Sequence, residues 1–200
     1  MKRFIVVFSV LMTSLASFAQ QEAGTLTIQP KAGLNITNYT GPYQTTPRFG
    51  LAAGIELEYQ FTKPFSLSAA VMYSMQGEHV KGKAYGFTNS ATLKTDYITI
   101  PIMANAYVYK GLALKAGIQP AFNVLAKYQV SIIGFEIGGD LSDVGIDVKT
   151  FDLSVPVGLS YEYKSFVIDA RYNIGVMNII KLDDARNNAV QITLGYKFRL

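Results

Sequence analysis

Val190-Gln191-Ile192-Thr193-Leu194-Gly195-Tyr196-Lys197-Phe198-Arg199-Leu200 carries its large apolar residues on one parity and its polar and small residues on the other. A period of two belongs to a strand with one apolar and one polar face. The same alternation recurs upstream in Phe166–Ile174, Phe151–Tyr163, Leu112–Phe122, Phe65–Met75, Phe49–Phe61 and Leu26–Ile36. It is less clean between Thr95 and Tyr109, where Ile98, Ile100, Ile102, Ala104, Ala106 and Val108 oppose Thr99, Pro101, Met103, Asn105 and Tyr107. The reading gives eight strands of about 10 to 13 residues, where a tilted membrane strand needs about 9 to 11 and globular strands run nearer five or six.

The links between these strands alternate in length. Thr40–Arg48, Gly77–Lys94, Gln129–Lys149 and Gly175–Asn187 are long, whereas Thr62-Lys63-Pro64, Lys110-Gly111 and Lys164-Ser165 are tight. In an antiparallel meander this puts every long link at one rim and every tight turn at the other, as in outer-membrane barrels. Aromatic residues mark both rims. Tyr59, Phe61, Phe65, Tyr109, Tyr161, Tyr163, Phe166, Tyr196 and Phe198 fall near the tight turns, and Tyr39, Phe49, Tyr73, Tyr97, Phe122, Tyr128, Phe151 and Tyr172 towards the long links. Amphipathic rings suit the headgroup level of a bilayer.

The polar parity carries Lys31, Glu56, Glu58, Lys115, Asp152, Glu162, Asp169, Arg171, Lys197 and Arg199. Glycine and serine occupy much of the remainder, including Gly33, Gly54, Gly117, Gly158, Gly195, Ser66 and Ser68. A soluble barrel would turn this face to water. Its narrow interior could not hold about six large apolar residues from each of eight strands. The expected fold is therefore all-β: an eight-stranded antiparallel up-and-down transmembrane β-barrel with a polar, filled interior. The ten charges form a lumen network in which basic and acidic groups balance, because buried charges need partners.

Composition agrees. Of 200 residues, 50% are hydrophobic and 16% charged, below the roughly 25% charged of an average soluble domain. Cysteine is absent and His79 is the one histidine, which excludes thiolate chemistry and multi-histidine metal sites. Lys2 and Arg3, the apolar run Phe4–Leu15 and Ser17-Phe18-Ala19 have the form of an export signal, with cleavage expected after Ala19. The expected division is residues 1–19 as signal peptide and 20–200 as barrel. Removing Lys2 and Arg3 lowers the formal net charge of +4 to +2, which is no nucleic-acid signature.

Thr193, Gly195, Phe198 and Leu200 set a polar-x-Gly-x-x-apolar-x-apolar pattern. It resembles the C-terminal signal read by the machinery that assembles barrels in the bacterial outer membrane, with Leu200 in place of the usual terminal Phe. Pro30-Lys31-Ala32-Gly33-Leu34-Asn35, Phe49-Gly50-Leu51, Tyr97-Ile98-Thr99-Ile100-Pro101 and Ala116-Gly117-Ile118-Gln119-Pro120 carry a wider likeness. Through them the chain resembles the outer-membrane β-barrel (porin-like, PorT-like) family of Gram-negative bacteria. The resemblance implies an outer-membrane location and this fold. It does not establish conductance.

Little else reads as chemistry. His79 beside Glu78, with Ser74 nearby in sequence, reads as a solvated rim residue and not as a catalytic group. Glu136, Asp140, Asp143 and Asp147 do not match an EF-hand spacing. No enzyme activity, cofactor or metal is expected. The expected surroundings are outer-membrane lipid, the barrel-assembly machinery at the last strand, and an extracellular partner at loop 129–149, with both termini periplasmic. Three roles fit: a structural or loop-mediated interaction role in the envelope, a narrow channel for small solutes or ions, and a component of an export apparatus or small-ligand carrier.

Overall fold

The structure, a computed structural model, describes residues 22–40, 46–84, 87–132, 135–145, 148–178 and 186–200. The expected leader, residues 1–19, lies outside them. The described strands are β1 (Leu26–Thr40), β2 (Thr46–Thr62), β3 (Phe65–Ala84), β4 (Phe87–Thr99), β5 (Ile102–Tyr109), β6 (Leu112–Ile132), β7 (Phe135–Asp140), β8 (Phe151–Tyr163), β9 (Phe166–Gly175), β10 (Arg186–Tyr196) and β11 (Phe198–Arg199). Every neighbour pairing is antiparallel, and β10 pairs with β1 to close the sheet on itself.

The ring has eight staves. β4 and β5 form one stave, because the register of Met72↔Thr99 continues as Ala69↔Ile102 across Pro101. Proline has no N–H to give a ladder, yet its carbonyl still accepts from Ala70 N–H at 3.0 Å. β10 and β11 form the last stave, with Lys31↔Gly195 continuing as Thr27↔Arg199. Around the ring the order is β1, β2, β3, β4/β5, β6, β8, β9 and β10/β11.

The apolar parity faces outward along every stave. Phe49 is 70% exposed, Leu51 59% and Leu194 59%, whereas the intervening Gly50, Ala52, Thr193 and Gly195 are buried. This inverts the arrangement of a water-soluble barrel and matches a wall bathed in hydrocarbon. Among the described residues no helix is long and apolar enough to cross a membrane, so any crossing is made by strands. At the tight-turn rim, Tyr59 stacks edge-on with Phe61 at 5.0 Å and Phe166 with Tyr196 at 5.1 Å. At the other rim, Phe122 meets Phe151 at 5.6 Å.

Two of the expected long links are largely strand. β3 and β4 stay paired from Met72↔Thr99 out to Ala84↔Phe87, so Gly77–Lys94 is an extended hairpin. Similarly β6 runs to Ile132 and β7 pairs back on it from Ile132↔Phe135 to Lys127↔Asp140. These hairpins project beyond the aromatic rim and have no lipid to set an apolar face, so alternation fades there although the backbone ladder continues.

Tyr97 departs from its expected place in the aromatic belt. It is fully buried, two residues from Thr99 and therefore on the inward parity with Thr99, Pro101 and Met103. A bulge opposite it places Asp96 against Leu125 and Tyr97 against Asn123, leaving Val124 unpaired and turned outward, 51% exposed.

Candidate functional site: the barrel lumen

Nine of the ten lumen charges read from the sequence are buried: Lys31, Glu56, Glu58, Lys115, Asp152, Glu162, Asp169, Arg171 and Lys197. Arg199 is not among them. It lies exposed on β11 at the tight-turn rim, where the lumen meets water and a long cationic side chain can stay solvated.

The buried charges divide into two tiers and one outlier. In the larger tier, Lys31 Nζ pairs with Glu56 Oε2. Lys115 Nζ lies 3.4 Å from Glu56 Oε1 and 2.7 Å from Asp169 Oδ2. Arg171 Nε lies 4.0 Å from Asp169 Oδ1 and donates to Gln191 Oε1 at 2.7 Å. Nearer the tight turns, Lys197 Nζ lies 2.8 Å from Glu58 Oε2 and 2.7 Å from Glu162 Oε2. Glu58 Oε1 also accepts from Ser66 Oγ at 2.5 Å and Tyr107 Oη at 2.7 Å. The first tier holds three cations against two carboxylates and the second one against two, so together they cancel.

Contacts span the whole lumen. Arg171 on β9 places Nη2 3.0 Å from Met72 Sδ on β3, four staves away and diametrically opposite, and Nη1 3.4 Å from Met103 Sδ on β5. Lys197 on the last stave donates to Tyr107 Oη on β5 at 3.0 Å, again across a full diameter. Met72 and Met103 are almost wholly buried, and Met72 clusters with Ala52 and Ala70. An eight-stranded interior is only wide enough for side chains to fill. Glycines make the long ones fit. A Cβ at Gly158 would stand 2.7 Å from the Cβ of Arg171, and one at Gly54 would stand 2.7 Å from Met72 Cγ.

On the other side of the methionines the lining is mostly uncharged. Asn35 Nδ2 donates to Ser74 Oγ at 2.7 Å, Gln76 Nε2 to the same oxygen at 2.8 Å, and Asn187 Nδ2 to Gln76 Oε1. Asp152 sits in this layer, apart from both tiers. At its edge Arg48 Nη1 lies 3.7 Å from Asp96 Oδ1, and Tyr73 Oη donates to Asp96 Oδ2 at 2.6 Å. Sequence reasoning missed Arg48, Asp96, Tyr107, Met72 and Met103 as lumen or rim partners. Parity alone could have found Arg48, which shares the inward phase of Gly50 and Glu56; it already sets Met103 and Tyr107 on the inward phase with Asn105, without giving their partners. Asp96 was hidden by the bulge.

The assembly residues lie at the seam between first and last staves. Thr193 is buried, whereas Phe198 and Leu200 face outward, 50% and 72% exposed. The space beside Gly195 is taken by the Gln29 side chain, whose Nε2 would stand 2.2 Å from an added Cβ. His79 Nδ1 pairs with Thr92 Oγ1 at 2.9 Å, and Ser74 Oγ is engaged by Asn35 and Gln76. Asp147 lies outside the described residues.

Known proteins share this architecture. The structure of Ail, the attachment invasion locus protein of Yersinia pestis, in complex with the heparin analogue sucrose octasulfate, superposes with a TM-score of 0.52 at 14% identity, covering 88% of this chain and 99% of Ail. Neisserial surface protein A superposes with a TM-score of 0.50 at 15% identity, covering 86% of this chain and 97% of the other. At such identities the likeness concerns the fold. No curated protein matches the chain. The family model described as outer membrane protein beta-barrel domain matches residues 18–181. With that match over most of its length, and with its apolar face turned outward around an ion-paired lumen, the chain belongs to the outer membrane β-barrel protein family.

Proposed function

We propose that this protein is a closed, non-conducting barrel of the outer membrane that acts through the hairpins at one rim. The observation that carries this reading is the pair of diametral contacts, Arg171 to Met72 and Lys197 to Tyr107. Each joins opposite walls, and the two join different walls, so a hydrated ion would have to break both tiers to pass. Buried groups held in such networks are costly to separate.

In this reading the tight turns and both termini face the periplasm, and the β3–β4 and β6–β7 hairpins stand outside the cell. Those hairpins support an interaction role because they extend the sheet beyond the aromatic rim. An extracellular partner engages the 129–149 segment. The assembly machinery reads Thr193, Gly195, Phe198 and Leu200 before the seam with β1 closes, by edge pairing of the kind that exposed strands permit. Residues 1–19 act as the export leader.

The test is conductance. The chain, refolded in detergent and shown to be folded by its heat-sensitive gel mobility, is added to a planar bilayer beside an Arg171→Ala variant. Silence from the native sequence is expected, with leak from the variant only. Stable unitary conductance from the native sequence would overturn the closed-barrel reading and leave the narrow channel in its place.

A further inference from the structure

Each tight turn carries a lysine: Lys63 in Thr62-Lys63-Pro64, Lys110 in Lys110-Gly111 and Lys164 in Lys164-Ser165. Among the described residues, Lys110 and Lys164 are also the non-glycine residues with positive φ, at 23° and 58°. A left-handed backbone is costly for a residue with a Cβ, and Asn or Gly usually fills such turns. Lys110 Nζ lies 5.2 Å from the ring centroid of Tyr109, and Lys164 Nζ 5.6 Å from that of Tyr163. An ammonium over a ring keeps N–H donors for a further acceptor. The exposed acidic side chain described at this rim, Glu22, precedes β1, and β2 stands between β1 and β3.

Above the Lys63 and Lys110 turns the outward wall is hollow. Phe65, Ala106 and Leu114 form one cross-strand row, and Leu67, Ala104 and Ala116 the next. The three alanines floor a groove of about 460 Å³, walled by the larger side chains of these rows and by Phe61. It opens to the hydrocarbon, because Ala104 shares the outward phase of Ile102 and Val108. Along β5 that phase reads Ala104, Ala106, Val108 and then Lys110, so the groove runs down to the Lys110 turn. The Pro64 carbonyl accepts from Tyr107 N–H at 2.7 Å, which fixes the Lys63 turn beside the last residues of β5. Two lysine turns thus flank the rim end of one apolar groove.

We propose that the wall above the β2–β3 and β5–β6 turns binds an anionic phospholipid, its acyl chain along Ala104 and Ala106 and its phosphate at Lys63 and Lys110. The groove supplies apolar contact where the surroundings are hydrocarbon. The lysines supply charge where the aromatic rim marks the headgroup level. Basic groups at that level favour an anionic over a zwitterionic lipid, by about tenfold for this pair. The site needs the barrel to cross a membrane, and it holds whether or not the lumen conducts.

Native mass spectrometry of the folded barrel in detergent tests the proposal, with dipalmitoyl phosphatidylglycerol as probe and phosphatidylcholine of the same chains for comparison. The first phosphatidylglycerol adduct should saturate at about one-tenth of the phosphatidylcholine concentration. Lys63→Gln with Lys110→Gln should erase that difference, whereas Lys94→Gln, beyond the other rim, should leave it intact. Ala104→Leu with Ala106→Leu fills the groove and keeps both lysines, and it should weaken the adducts of both lipids about equally. Both alanines face outward, so these leucines meet lipid and not the packed lumen, and heat-sensitive gel mobility checks that the variant folds. Equal affinity of the native barrel for the two lipids, or a lysine variant that keeps the preference, overturns the proposal. So does full competition by glycerophosphoglycerol or inorganic phosphate, which would leave an anion site without a lipid. A native dimer that the alanine changes dissociate would give the groove to a second copy and overturn it as well.

Discussion

Replacing Glu56 by Gln tests whether the lumen is held by charge and not by packing alone. The substitution keeps shape and volume and removes one charge. Lys31, whose side chain is wholly buried, has Glu56 as its ion-pair partner, and Lys115 lies 3.4 Å from the other carboxylate oxygen. Glu56→Gln therefore leaves Lys31 as a buried charge without a counter-ion, a loss of about 3 to 5 kcal/mol where one partner of a buried pair is removed. Lys31→Met should cost less, about 1 to 3 kcal/mol, because Glu56 keeps Lys115. The double variant removes both members of the pair, so it should be more stable than Glu56→Gln alone, with a coupling energy of at least about 1 kcal/mol. Urea unfolding in detergent, followed by far-ultraviolet circular dichroism because tryptophan is absent, measures all four corners of the cycle. A Glu56→Gln barrel within about 0.5 kcal/mol of the native one, or strictly additive single changes, would refute the ion-pair account.

Two further substitutions probe the wall. Gly158→Leu sets a Cβ 2.4 Å from the Ala170 carbonyl oxygen and 2.7 Å from Arg171 Cα, so β8 and β9 could not pair, and no heat-sensitive folded band should appear on a gel. Ile192→Arg puts a charge on the outward face between the two aromatic rims, where Ile192 is 46% exposed. It should cost about 2 to 4 kcal/mol in lipid vesicles, whereas an exposed site on a water-soluble barrel would lose less than about 0.5 kcal/mol.

The wall was legible because lipid and lumen impose opposite demands on alternate residues. Phe49, Leu51, Ala53, Ile55 and Leu57 show the outward phase, with Glu56 and Glu58 in the inward one, and the structure keeps both. Where that demand ends, so does the signal. Beyond Gly77 the two faces of β3 meet no hydrocarbon, and a paired hairpin reads as a loop. Tyr97 shows the reverse failure. Its residue type suggested the headgroup belt, but its phase placed it inside, and phase prevailed because each stave has only one side facing lipid. Arg199 keeps the inward phase and still escapes the lumen, since phase says nothing of height above the rim.

Partner choice was not legible at all, and the reason lies in how the barrel closes. Parity says that Arg171 and Met72 both point inward; it cannot say that they meet. Ninety-nine residues separate them, and they touch because the ring sets β9 opposite β3 and the stagger of the strands brings the two to one height. The same stagger places Lys115 between Glu56 and Asp169 and leaves Asp152 beyond the reach of any cation among the described residues. A shift of β8 by one residue would turn Asp152 to lipid and Leu153 inward; a shift by two would keep both phases but move Asp152 along the barrel axis relative to its neighbours. Balanced charges on the inward phase are thus a property of the sequence, whereas the pairing of four cations with four carboxylates, and the isolation of the ninth charge, are properties of the closed ring.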